Sequence, residues 1–303
     1  MVTVRVSPRV RYGLIEILRT ARNLALLCHI AGAHKSGYYA WKKGAEKRRK
    51  KQDDDALLVE LIRAKCGKYL GKWGSRQITM QVSTPESPVN HKRVERVSRE
   101  HGLLSKRRSI NPYKNIPKES SEIEIAENIL SRKYAFDTLW PFRVFGTDIT
   151  FLRIAGNKWA YLSAIKDFCT GEIVAHEISR SPNTDLVLAT LNIFAVNVPL
   201  EARLGGLMHS DRGSTYTSKV HCNMTRMLGL NVSMSRKGNC IDNAPTESFF
   251  GHMKDELPNT RNMDYEELRK TIDGYIIDHN TVRKQWHREK MSPVEYRRHL
   301  LCA

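Results

Sequence analysis

At 303 residues the chain exceeds the usual size of one domain, so two or three domains are expected, each able to bury a core. Residues 1–118 hold 27 Lys plus Arg against 9 Asp plus Glu, whereas residues 119–303 hold 23 of each, so the whole formal charge of +18 belongs to the first part and points to a polyanionic partner there. Six cysteines without Cys-x-x-Cys spacing exclude a zinc knuckle or disulfide framework, and the lack of a long apolar run or a cleavable signal pattern leads us to expect a cytoplasmic, nucleoid-associated protein.

In chain order, residues 14 to 42 predict helix, broken at Ala31-Gly32-Ala33 and restarted behind a Ser36 cap. Leu24, Leu27 and Ile30 before the break, with Tyr38, Tyr39 and Trp41 after it, are the expected core of a helix-turn-helix segment over residues 1–53. His29 and His34 read as ordinary helix-turn residues. The basic run Lys42 to Lys51 reads equally as a DNA-contacting segment or a solvated helix face, and Asp53-Asp54-Asp55 as the cap of a following helix with apolar Leu57, Leu58, Leu61 and Ile62. That helix opens a second helical DNA-binding unit, residues 54–104. In it Asn90 is placed to cap a helix whose Val94 and Val97 face inward, while Lys92, Arg96 and Arg99 recur on another face beside Arg93. These four basic residues are the expected DNA contacts of the unit.

Residues 105–134 read as a linker carrying a short acidic helix from Ser120 to Leu130. From residue 135 to 303 the pattern changes. Strands are predicted at Val144–Arg153, Lys158–Asp167 and Glu172–Ser179, then a helix from near Asn183, a strand ending at Asp211, a helix from Thr217 to Leu228 and the short strand Asn231–Met234. A sheet in which the first and fourth strands are adjacent would bring Asp148 and Asp211 together. Gly238 to Ala244 reads as a loop; Lys237, Asn239 and Asn243 either contact DNA from it or, for the asparagines, simply form its turns. Asp264 with Glu267 resembles a capping box for a last long helix packed through Leu268, Ile272, Tyr275 and Ile276.

Three acidic residues carry the chemistry. Asp148 lies in the strand text Phe145-Gly146-Thr147-Asp148-Ile149-Thr150-Phe151, Asp211 ends an apolar strand before Gly213, and Glu247 follows Pro245 in the first turn of a helix, with thirty-five residues between the last two. Two strand-borne aspartates and a helix-borne glutamate suit two Mg2+ ions, which prefer oxygen ligands and catalyse in-line displacement at phosphorus. A polynucleotide substrate follows.

At these residues the chain resembles the second-frame transposases of the bacterial insertion-sequence family numbered three, within the retroviral-integrase superfamily. The shared text is Thr147-Asp148-Ile149-Thr150, His209-Ser210-Asp211-Arg212-Gly213-Ser214-Thr215-Tyr216-Thr217-Ser218, and Ser233 through Ala244 running into Glu247-Ser248-Phe249-Phe250. The resemblance spans roughly residues 24 to 300. It departs at Trp73-Gly74-Ser75-Arg76-Gln77, where the family usually has Tyr-Gly-Tyr-Arg-Arg.

The resemblance implies an α/β ribonuclease-H-like catalytic core, a mixed five-stranded sheet with flanking helices, preceded by all-α helix-turn-helix units. It implies catalytic and metal-binding roles for Asp148, Asp211 and Glu247 with Mg2+, Mn2+ being able to substitute, and a phosphate-holding role for Lys254. The implied partners are double-stranded DNA, further copies of the chain pairing two DNA ends, and an upstream-frame product. Two rivals stand beside a DNA transposase: a nuclease of the same fold and a catalytically silent DNA-binding remnant.

Overall fold

The computed structural model describes residues 6–19, 23–105, 140–235 and 243–302, so the expected linker and its acidic helix lie outside the described residues. Three short helices come first: α1 (Pro8–Leu18), α2 (Leu24–Ile30) and α3 (Lys35–Lys43). Asn23 caps α2 by accepting from the Ala25 amide at 2.8 Å. The small core is Ile15, Leu27, Cys28 and Tyr38, with Tyr12, Leu24 and Trp41 against it. Ile30 and Tyr39, expected in that core, are 71% and 53% exposed. The reason is α1, which starts before the predicted helix and supplies Ile15 and Tyr12, turning α2 and α3 through a different face. The residue before α3 is His34, so Ser36 is not its cap.

Helix α4 (Ala45–Cys66) runs unbroken through Asp53, Asp54 and Asp55, which therefore cap nothing, and the boundary expected at residue 53 falls inside a continuous helix. Asp55 is used sideways instead, as the acceptor of Arg93 at 2.9 Å and Arg96 at 2.6 Å, which fastens α4 to α6. With α5 (Ser75–Val82) and α6 (His91–Glu100), α4 forms a three-helix unit around Leu58, Ile62, Ile78, Val94 and Val97. Leu57 and Leu61 point out of it. Asn90 caps α6 as predicted, its Oδ1 accepting from the Lys92 amide at 2.8 Å.

The remaining chain builds a five-stranded mixed sheet in the order β3-β2-β1-β4-β5. Its strands are β1 (Val144–Ile154), β2 (Lys158–Asp167), β3 (Ile173–Ser179), β4 (Leu207–Ser210) and β5 (Asn231–Met234). The first three pair antiparallel; β4 joins β1 in parallel and β5 joins β4 in parallel. One face is covered by α7 (Thr184–Asn197), whose Leu191 and Phe194 meet Phe145 and Ile165. Helices α8 (Leu200–Arg203) and α9 (Lys219–Met227) connect the parallel strands. On the other face α10 (Ala244–Glu256) and α11 (Tyr265–Thr281) bury Phe249, Met253, Leu268 and Ile272 against Leu152 and Leu162. The capping box at Asp264 and Glu267 is formed in both directions. The chain continues into α12 (Pro293–Cys302). No helix among the described residues is long and apolar enough to cross a membrane.

The three-helix unit docks on the sheet domain where α10 ends. Trp73 is buried and stacked on Tyr69 with ring centroids 4.4 Å apart, and the Tyr69 hydroxyl donates to Asp278 of α11 at 2.5 Å. Gln81 donates to the Val282 carbonyl at 2.9 Å. Beside this seam, buried Glu256 accepts from Arg283 and from the Tyr275 hydroxyl. Removing one partner of such a pair leaves a buried charge uncompensated. Glu256→Ala is therefore expected to destabilise the chain by about 3–5 kcal/mol in denaturant unfolding; a loss below about 1 kcal/mol would show that Arg283 reaches solvent unaided.

Candidate active site

Strand register sets the two aspartates. Gly146 of β1 stands opposite His209 of β4 in the parallel pair, so Asp148 and Asp211, each two residues further on, emerge side by side. Here β4 has ended and its chain turns, with the Gly213 amide donating to Asp211 Oδ1 at 2.8 Å. His209, wholly buried, sits between Ser233 Oγ at 2.9 Å and Ser235 Oγ at 3.1 Å, and the Arg212 Nε donates to the Ser235 carbonyl at 2.6 Å. These bonds pin the end of β4 to β5.

Glu247 arrives from above. A Cβ on Gly146 would lie 2.3 Å from the Phe168 ring and 2.6 Å from Thr246 Oγ1, so the first turn of α10 rests directly on β1, and Glu247 is the next residue. Two further tethers hold that turn. Asn243 Nδ2 donates to the Thr147 carbonyl at 3.2 Å, and the buried Lys166 ammonium donates to the Pro245 carbonyl at 2.9 Å. Burial first, and then Arg288 and Arg283, push Lys166 down to about 7, with Asp167 acting in the opposite sense.

The carboxylates sense one another. Burial and then the charge of Asp211 push Asp148 up to about 7; Glu247 adds to this, while the Ile149 amide and Lys254 oppose it. Tyr216 is buried beside them, its hydroxyl held well above the usual tyrosine range by burial and by Asp148 and Asp211. Among the described residues no three acidic, histidine or cysteine side chains close tightly enough to form a finished metal cage. Asp148 is repelled by Asp211 and Glu247, and oxygen donors of this kind would suit a hard divalent cation.

The other expected site residues are placed as follows. Lys254, on α10 two turns beyond Glu247, puts its Nζ 4.9 Å from the centre of the Phe151 ring; burial lowers its pKa and the Asp148 charge raises it. Asn243 is 2% exposed and turned inward onto Thr147, so it is a support of the site and not a DNA contact in this arrangement. Lys237 and Asn239 lie outside the described residues.

On α6, Lys92 is exposed, whereas Arg93 and Arg96 are committed to Asp55, and Arg99 pairs with Glu95 at 2.6 Å. The basic face expected there is thus partly neutralised within the chain. Sequence reasoning missed Lys166 and Tyr216; for Lys166 a signal was available in the Lys-Asp pair that ends the largely apolar strand.

Comparison with known proteins agrees with this division of the chain. Family models described as "Integrase core domain" match residues 140–240 and 247–301, and one described as "HTH-like domain" matches residues 52–109. An uncharacterized transposase-like protein of Haemophilus influenzae is 37% identical over 213 residues, covering 69% of this chain and 93% of that one. The IS600 uncharacterized 31 kDa protein of Shigella sonnei is 30% identical, covering 89% and 97%. The putative transposase InsK for IS150 of Escherichia coli is 29% identical, covering 94% of each chain.

The raised Asp148 has a consequence for stability. Between its ordinary 3.8 and about 7 the folded state holds a proton that the unfolded state releases, so its contribution to stability is full below about 4 and is lost as pH rises through about 7. Metal-free Asp148→Asn is therefore expected to melt above the parent at about pH 8, with the gap shrinking toward about pH 4. Melting curves across pH check this, and a variant that melts lower than the parent at high pH contradicts it.

Proposed function

The chain belongs to the transposases of the insertion-sequence family numbered three, with an integrase core, and from that premise we propose that it cleaves the ends of its own mobile element and joins them to target DNA by two-metal phosphoryl transfer. The observation that supports the proposal is the register that sets Asp148, within β1, beside Asp211, just past β4, together with the repulsion that Asp148 feels from Asp211 and Glu247. On this reading the three carboxylates hold two Mg2+ ions, with Mn2+ able to substitute. When bound, the ions supply positive charge to the attacking and leaving oxygens of the phosphodiester.

The chain's own groups do the remaining work. The Asn243 and Lys166 tethers keep the first turn of α10, and hence Glu247, at a set height over β1. His209 holds the end of β4 so that Asp211 stays level with Asp148. Lys254, exposed and drawn by the charge of Asp148, offers its ammonium to the phosphate beside the scissile bond. No protein nucleophile is required: water attacks in cleavage, and the freed 3'-hydroxyl attacks in joining. The basic first 118 residues supply most of the phosphate neutralisation on double-stranded DNA. Pairing of two ends calls for more than one copy of the chain, and an upstream-frame product is a further partner on this reading.

Incubation with the flanking DNA ends and Mg2+ tests the proposal by strand nicking and joining. Asp148→Asn, Asp211→Asn and Glu247→Gln keep side-chain shape but lose charge. Because loss of a metal site's outer supports already costs about 10- to 100-fold, each is expected to lower cleavage by more than about 100-fold with DNA binding preserved. Near-parental joining by any of the three would remove that residue from the site.

Lys254 generates a separate expectation. A charge-assisted contact to phosphate is worth about 1.5–3 kcal/mol, so Lys254→Ala is expected to weaken joining about 10- to 100-fold, and Lys254→Glu more, since it sets like charges together. Joining assays at saturating Mg2+ measure both. Unchanged activity in Lys254→Glu would make Lys254 a bystander.

A further inference from the structure

Strand β1 is paired with β4 only from Val144 to Gly146, but it stays paired with β2 as far as the hairpin end at Ile154 and Lys158. Side chains alternate along it. Leu152 and Ile154 enter the core shared with α10 and α11. Phe151 and Arg153 point to the opposite face, together with Trp159, which stands across from Arg153. Helix α7 covers that face around Phe145 and Ile165. At the Phe151 end it is bare: Phe151 is 55% and Trp159 42% exposed. Their rings meet edge to face with centroids 5.5 Å apart.

Cross-strand aromatic contact alone would stabilise the hairpin by a modest amount, about 0.2–1 kcal/mol. It does not account for the cations. The Arg153 guanidinium lies 5.3 Å from the Trp159 ring centre and the Lys254 ammonium 4.9 Å from that of Phe151. Among the described residues neither cation has a carboxylate within ion-pair distance. An exposed aromatic pair carrying two cations over its rings, neither in an ion pair among the described residues, suits an unpaired nucleotide, whose base offers a π-face and whose phosphate offers the counter-charge. A fully paired duplex presents only base edges, so it does not use such a floor.

The position fits as well. Phe151 is three residues beyond Asp148, about 10 Å along the strand and on its opposite face, so a strand that reaches it passes round the edge of β1 that β4 leaves unpaired beyond Gly146, a span of roughly three base steps. Lys254 joins the two places, touching Phe151 and feeling the charge of Asp148.

We propose that Phe151, Trp159, Arg153 and Lys254 form a stacking platform for an unpaired base of the DNA strand, roughly three nucleotides from the phosphate at the acidic site. The proposal rests on the reading of the chain as a DNA-cleaving transposase. The platform captures a frayed end, so the energy of stacking offsets the cost of opening the terminal pairs and favours ends that melt easily.

The test uses the full chain without divalent metal and two probes: a blunt duplex of the element end, and the same duplex with a three-nucleotide single-stranded tail holding 2-aminopurine. The parent is expected to bind the tailed probe about tenfold more tightly than the blunt one and to quench its emission. Trp159→Leu is expected to abolish both effects while leaving blunt-duplex affinity within about twofold, and Trp159→Phe to restore them in part. Equal binding of the two probes by the parent, or quenching that survives Trp159→Leu, overturns the platform. So does a Trp159→Leu variant whose sedimenting mass falls without DNA while its tail preference persists, because the patch would then be a contact between copies. Blunt-duplex binding and Mg2+-dependent nicking by the parent are read separately: their failure removes the transposase reading and the platform together, whereas their success with no tail preference removes only the platform.

Discussion

The candidate site depends on one close approach, the first turn of α10 lying on Gly146 of β1. Nothing larger than hydrogen fits at that position, since a methyl group there would overlap the Phe168 ring and the Thr246 hydroxyl. Glycine thus sets the distance between a strand and a helix that belong to chain segments a hundred residues apart. The Asn243 bond to Thr147 and the Lys166 bond to Pro245 fasten the same turn from two other directions. Three residues outside the acidic set, Gly146, Asn243 and Lys166, therefore decide where Glu247 stands relative to Asp148.

That arrangement concentrates charge of both signs in the interior. Lys166 is buried with Asp167, Arg288 and His279 near it, and burial pushes the lysine down to about 7 and Asp167 up to about 6. A few residues away, Asp148 is raised by its own burial and by Asp211 and Glu247. Carboxylates gathered without a matching cation cost stability, and a bound divalent ion offsets that cost by favouring the ionised form of each. The strain is local to the place where chemistry is proposed, as expected when function and stability compete.

Charge is handled differently in the helical half. There Asp55 takes up Arg93 and Arg96, and Glu95 takes up Arg99, so residues that look like a DNA-facing row are partly spent on holding α4 and α6 together or on pairing within a helix. Exposed pairs of this kind are weak and exchange readily with a phosphate, whereas the two arginines on one carboxylate are structural. The unit is also fastened to the sheet domain through Tyr69 and Asp278, near the end of α11.

Local chemistry made much of this legible in advance. Alternating apolar residues marked β1, β2, β3 and β5 to within a residue or so, and Asn90 and Asp264 marked their helix starts through side-chain oxygens. These signals are legible because they act over a few bonds or one helical turn. The sequence alone did not disclose that α4 continues through three aspartates, because the partner that employs Asp55 lies some forty residues away on another helix. Nor did it disclose that Asn243 faces inward, that Lys166 supports Glu247, or that Phe151 and Trp159 share a bare face with two cations. Periodicity assigns a residue to a side of its own element; only the packing of elements decides what that side meets, since burial, pairing and exposure are properties of surfaces that distant segments bring together.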